Sequence, residues 1–257
     1  MPASGRTGTG RLPEEEITED TVLGGRVSLL QPAAGYRVGI DPVLLAAAAA
    51  AGPVRALDLG CGVGAAALCL ARRLPGVEVV GLELQAALAA LGRRNAERNS
   101  LEGRVAIQHG DLLHPPPAVA AGGFDLVLAN PPFHAAGEAT APAEAGRARG
   151  HVESEADLAA WIRQALKLAG PKGSLLLIHR PDRLGDILGL LKGRAGATVV
   201  FPLWPAAGRP ARRLIIAARK GSAAPLRLAA GLILHEADGR YTAEAEAALR
   251  EGAGLAL

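Results

Sequence analysis

Cysteine is almost absent. Cys61 and Cys69 exclude a disulfide framework, and alone they cannot supply a four-ligand zinc site. They read as small core residues of a reducing compartment. Aromatic residues make up only 3% of the chain, which excludes an extended stacking platform for single strands and leaves room for one placed aromatic. No apolar run approaches the roughly 20 residues of a membrane span; the alanine stretch Ala46–Ala51 falls far short. Met1 to Glu16 holds no apolar segment, so no signal peptide is expected. Charge of one sign is lacking too: 28 Lys and Arg against 25 Asp and Glu leave a net +3. That balance does not establish nucleic-acid binding, but it permits a local basic face. What is present is 49% hydrophobic and 21% charged residues, an ordinary globular mix that excludes disorder. The expectation is a soluble, cytoplasmic protein without a membrane partner.

The 257 residues correspond to one or two domains at about 100–200 residues each, enough to bury a core without staples. Residues 1–16 read as a flexible tail. Residues 17–53 read as a lead-in, in which short Val-, Leu- and Ile-bearing runs flank Gly24-Gly25 as in a hairpin. Asp41-Pro42 then opens a helix over 43–51, with Asp41 as cap and Pro42 in the first position, and Gly52-Pro53 ends it. Residues 54–257 form one globular unit with that lead-in. Strands are expected at 55–59, 77–84, 105–108, 124–129, 175–179, 199–203 and 214–218. Helices are expected between them, ending at 73 and 99 and spanning 158–168 and 182–191. This alternation implies an α/β fold with a doubly wound parallel sheet, helices on both faces. Pro115–Pro117 reads as a loop. Ala135–Gly150, carrying Arg147 and Arg149, is a small-residue loop long enough for a lid or an RNA contact.

The chemically useful groups follow strand ends, where ligands bind in such sheets. Asp58-Leu59-Gly60-Cys61-Gly62-Val63-Gly64 ends the first strand in a glycine turn that lets backbone approach a ligand. A tight strand–helix joint would use the same glycines without one. Glu83 ends the second strand, where a carboxylate can accept from two ribose hydroxyls or stand as a surface charge. Asp111 follows the third and can accept from an adenine amine or serve as a turn residue. A nicotinamide fingerprint spaces its glycines G-x-G-x-x-G; here Gly60, Gly62 and Gly64 alternate. Asn130-Pro131-Pro132-Phe133 is the most informative stretch. A conjugated amine is a poor nucleophile because its lone pair is delocalised. The Asn130 side-chain oxygen and the Pro131 carbonyl can accept its two N–H bonds, the prolines can fix those acceptors, and Phe133 can stack on the planar target. His134 adjoins this motif. His109, His151, His179 and His235 lack metal-ligand spacing, so no metal is expected.

The glycine turn with its two acids resembles the S-adenosylmethionine site of class I methyltransferases, and Asn130–Phe133 resembles the N-P-P-[YF] motif of amino-group methyltransferases. The chain from about 17 to 250 is similar to the bacterial tRNA1(Val) adenine-N6 methyltransferase family. The likeness runs from Thr18-Glu19-Asp20-Thr21 and Gln31–Asp41 through Ile178–Leu184 to Lys220-Gly221-Ser222 and His235–Thr242. It implies a Rossmann-like, mostly parallel seven-stranded sheet, S-adenosylmethionine as cofactor, and a tRNA anticodon loop as partner, with no obligate protein partner. It implies that Asp58, Gly60, Gly62, Gly64, Glu83, Asp111, Leu112 and Asn130 serve the cofactor site, joined by Tyr36 and Asp41 in the lead-in. Asn130, Pro131, Pro132 and Phe133 would form the catalytic motif. Arg209, Arg212, Arg213 and Lys220 bracket the last strand and Arg147 with Arg149 sits in the loop after the motif, where they can contact RNA or stand as a solvated face. The alternatives sharing the tetrapeptide are a protein glutamine N5-methyltransferase and rRNA or DNA adenine-N6 methyltransferases. The roughly 54 residues before the first sheet strand do not read as the helical domain that glutamine methyltransferases carry.

Overall fold

The computed structural model describes residues 16–132 and 158–257. The tail before Glu16, Phe133, His134, His151 and the loop with Arg147 and Arg149 lie outside the described residues.

Five short, apolar runs form parallel strands: β3 (Arg55–Leu59), β4 (Glu78–Glu83), β5 (Val105–His109), β6 (Phe124–Ala129) and β7 (Ala169–His179), ordered β5-β4-β3-β6-β7. Their side chains alternate between two buried faces. In β3, Ala56 packs in one core cluster, and Leu57 and Leu59 pack in the other. Beyond β7, β9 (Arg213–Lys220) runs antiparallel between β7 and β8 (Ala195–Ala206). These are the seven expected strands, with β7, β8 and β9 longer than their apolar centres suggested. β10 (Arg227–Leu228) and β11 (Leu232–His235) add to the open side of β8, both parallel to it.

Helices α1 (Asp41–Ala47), α2 (Ala65–Arg73) and α3 (Ala86–Arg98) contribute to one cluster, and α5 (Leu158–Leu168) and α6 (Leu184–Leu191) to the other. The short α4 (Pro117–Ala120) starts inside the proline stretch expected to be loop, since proline suits a first helical position. Thr242 caps α7 (Ala243–Glu246) by accepting the Ala245 N–H at 3.2 Å. Among the described residues no helix is long and apolar enough to cross a membrane.

The lead-in forms the expected hairpin, β1 (Ile17–Val22) with β2 (Val27–Pro32). Two expectations for α1 are corrected. Its N-cap is Ile40, and Asp41 is already helical; the Asp41 carboxylate accepts from Arg213 Nε at 2.9 Å instead of capping the helix. The helix also stops at Ala47 rather than Ala51. Its terminal carbonyls are taken from outside: Ala46 by Arg73 Nε at 3.1 Å and Ala47 by the Leu255 N–H at 2.8 Å.

Candidate functional site

From β3 the sheet is extended by β4 and β5 on one side and by β6 and β7 on the other. The crevice at the carboxyl ends of β3 and β6 is where such sheets bind ligands. Leu59 and Ala129 are register partners, so the glycine turn after β3 and Asn130 after β6 leave the sheet side by side.

The turn is held by backbone. Gly60 and Cys61 N–H both donate to the Leu82 carbonyl, at 2.8 and 3.0 Å, tying the end of β3 to β4. Gly60 (φ +72°) and Gly62 (φ +56°) take conformations that favour glycine. A Cβ at Gly60 would run into the Trp161 ring, and one at Gly62 into the Tyr36 hydroxyl. The backbone here is therefore bare because two aromatic side chains come down on it.

Asp58 is 2% exposed, and its carboxylate accepts the Ala67 N–H of the first turn of α2 at 3.1 Å. Burial raises its pKa to about 7; the Ala67 N–H opposes that shift and the neighbouring Glu83 adds to it. Glu83 is 7% exposed and braces the turn from β4. One oxygen accepts Gly62 N–H and the other Gln85 N–H, each at 2.8 Å. Burial also raises its pKa, with these amides pulling it back. Each oxygen keeps a second lone pair for a ligand hydroxyl. Asp111 is a turn residue, accepting Leu113 N–H at 2.9 Å, with Leu112 beside it.

Tyr36 is brought to the turn by the lead-in. Gln31 on β2 accepts Val38 N–H at 2.8 Å and donates to Asp20 at 2.7 Å, fixing the segment that carries Tyr36. Burial of its hydroxyl, with Glu83, Cys61 and Asp58 nearby, pushes the phenol well above its ordinary pKa. Asp41 is instead committed to Arg213. Asn130 Oδ1 is buried and has no hydrogen-bond partner among the described residues. Among the described residues no three His, Cys, Asp or Glu side chains cluster as a metal site.

The alternating glycines, the acid ending β4 and the unpartnered Asn130 acceptor occupy one crevice, and the profile of the methyltransferase small domain family matches residues 42–179. The chain belongs to that family. It is 37% identical over 164 residues to a tRNA1(Val) (adenine(37)-N6)-methyltransferase of Porphyromonas gingivalis, covering 61% of this chain and 64% of that protein. The match thus spans just under two thirds of that relative's length. A protein of the same name from Dickeya chrysanthemi is 28% identical over 222 residues, 84% of this chain and 87% of its own. The crystal structure of a predicted O-methyltransferase from Agrobacterium tumefaciens has TM-score 0.69 and 27% identity, covering 84% of this chain and 99% of that one. The fold is that of a Rossmann-like class I methyltransferase.

Within this methyltransferase small domain the basic residues separate. Arg209 and Arg212 lie in the β8–β9 turn and Arg213 opens β9, at the edge that carries Asn130. Lys220 ends β9 at the opposite edge, its Nζ donating to the Ala169 carbonyl at 2.6 Å. One site residue was missed from sequence: Trp161 on α5. Its ordinary helical spacing gave no signal.

Proposed function

We propose that this methyltransferase small domain transfers the methyl group of S-adenosylmethionine to N6 of an adenosine in tRNA. The position is 37, beside the anticodon of tRNA1(Val), as named for the Porphyromonas and Dickeya relatives. The observation that carries the reading is the buried, unpartnered Asn130 Oδ1 beside the glycine turn. When bound, S-adenosylmethionine supplies an electrophilic methyl on a sulfonium. The Gly60–Gly64 turn, with Tyr36 and Trp161 packed on it, would receive its amino-acid part. Glu83 offers its remaining lone pairs to the ribose, and Asp111 with the Leu112 amide takes the adenine. Asp58 acts through α2 and the turn, one carboxylate oxygen accepting the Ala67 N–H.

Asn130 Oδ1 and the Pro131 carbonyl accept the two N–H bonds of the target amine and turn its lone pair toward the methyl, with Pro132 stiffening the loop and Phe133 stacked on the base. The nitrogen sheds its proton after it becomes cationic, so this step needs no side-chain base. An anticodon-loop base is inexpensive to extrude because it is unpaired. This reading places the reaction in the cytoplasm, on RNA.

The test is incubation with methyl-labelled S-adenosylmethionine and unmodified bulk tRNA, then digestion and identification of the labelled nucleoside. N6-methyladenosine from a valine tRNA is expected. Label absent from RNA but present on a release-factor glutamine would discard the RNA reading and keep the amine chemistry.

A further inference from the structure

The indole of Trp161 is 5% exposed and packs in the core cluster with Leu57, Leu59 and Ala129. Its Cη2 end lies against Gly60, closely enough that no side chain fits at that glycine. Its Nε1–H is buried and has no acceptor among the described residues. Buried indole N–H groups ordinarily find one, because an unpaired donor keeps its full desolvation cost. The chain's other indole, Trp204, is only half-buried and still donates from Nε1 to the Ala230 carbonyl at 3.0 Å.

The placement of Trp161 says which ligand the donor serves. Glu83 and Asp111 follow β4 and β5, on one side of β3. Asn130 follows β6, on the other side, and α5 packs on β6 and β7. Trp161 therefore shares a flank with Asn130, away from the two acids. Among the described residues that flank presents the unpartnered Asn130 acceptor and the unpartnered Trp161 donor, with Gln164 Oε1 a further unpartnered acceptor on α5. A planar group carrying an amine next to a ring acceptor satisfies the first two, and adenine presents that pair on each side of N6, with N1 and with N7.

We infer that Trp161 is a positioning residue of this site: its ring walls the target side of the glycine turn, and its Nε1–H donates to an acceptor atom of the amine-bearing target. This rests on the methyl-transfer reading above. Trp161→Phe keeps an aromatic ring and removes the N–H. It is expected to bind S-adenosylmethionine, measured by calorimetry, within about twofold of the wild type. The KM for tRNA rises roughly tenfold, the scale of one lost hydrogen bond to a buried group. With Trp204→Phe as background, Trp161 is the only indole, and its emission shifts when an unmodified anticodon stem-loop RNA is added. Replacement of Trp161 by benzothienylalanine, an isostere with sulfur for N–H, repeats the measurement if the smaller ring perturbs folding. Wild-type KM for tRNA in both replacements overturns the inference, as does equal loss of cofactor and RNA binding. If the wild-type chain itself transfers no methyl to RNA, the methyl-transfer reading falls and takes the inference with it; if only the replacements report a fault, the reading stands.

Discussion

Asp58 is the buried carboxyl of the glycine motif, and in the fold it anchors α2 by accepting the Ala67 N–H. Its proton is held up to about pH 7, against an ordinary value of 3.8. Between those values the native chain binds more protons than the unfolded one. The stability tied to Asp58 is therefore fully present below about pH 4 and lost as pH rises through 7. His179 works oppositely: burial lowers it from 6.5 to about 4, so its share of stability grows over that window. Asp58→Asn keeps an acceptor for Ala67 and removes only the first effect. Its melting temperature relative to wild type should rise steadily from pH 4 to pH 7, read by calorimetry; a constant offset would contradict the assignment.

Individual elements show a different kind of dependence. The hairpin is held to the domain by two asparagines one helical turn apart on α3, which offer β2 the hydrogen bonds of a further strand. Asn95 accepts Leu30 N–H at 2.7 Å and donates to the Leu30 carbonyl at 3.0 Å, and it also donates to the Val63 carbonyl in the glycine turn at 3.0 Å. Asn99 accepts Ser28 N–H at 2.9 Å and donates to the Ser28 carbonyl at 2.7 Å. Asn95→Ala strands one buried and two half-buried backbone groups, at up to ~1–3 kcal/mol each. It should lower stability by about 3 kcal/mol or more and speed amide exchange at Leu30 well beyond that at β6; unchanged exchange at Leu30 would remove the clamp from the account. The hairpin and the helix boundaries of α3 and α5 were readable from Gly24-Gly25 and from apolar spacing. The clamp was not, because an Asn pair at helical spacing looks like a solvated face. Nor were β10 and β11, whose two and four residues pair only because β8 leaves an edge open. For α1 the miss has an explicit cause: partners distant in sequence, Arg213, Arg73 and Leu255, decide where Asp41 points and where the helix stops.

On the whole molecule, the carboxyl edge of the sheet gathers the glycine turn, Glu83, Asn130, Tyr36 and Trp161, and the β8–β9 turn brings Arg209 and Arg212 to the same edge. Arg213 and Lys220 stand at opposite ends of β9, about 23 Å apart at ~3.3 Å per residue. Arg212→Ala should weaken tRNA binding and lower the slope of log affinity against log salt by about one, whereas Lys220→Ala should leave both near wild type; the reverse result would move the RNA to the other edge. The sequence disclosed the chemistry of this edge well, because strand ends, glycines and the Asn-Pro-Pro-Phe motif are contiguous. It disclosed poorly what comes from elsewhere: Tyr36 from the lead-in and Trp161 from α5 meet Gly62 and Gly60 only in three dimensions. In the proposed reaction Asn130 is the acceptor that orients the target amine. The most direct measurement is methyl transfer to tRNA by Asn130→Ala beside its affinity for S-adenosylmethionine. Transfer should fall by about 10²-fold or more with cofactor affinity kept within about twofold; equal losses in both, or undiminished transfer, would contradict it.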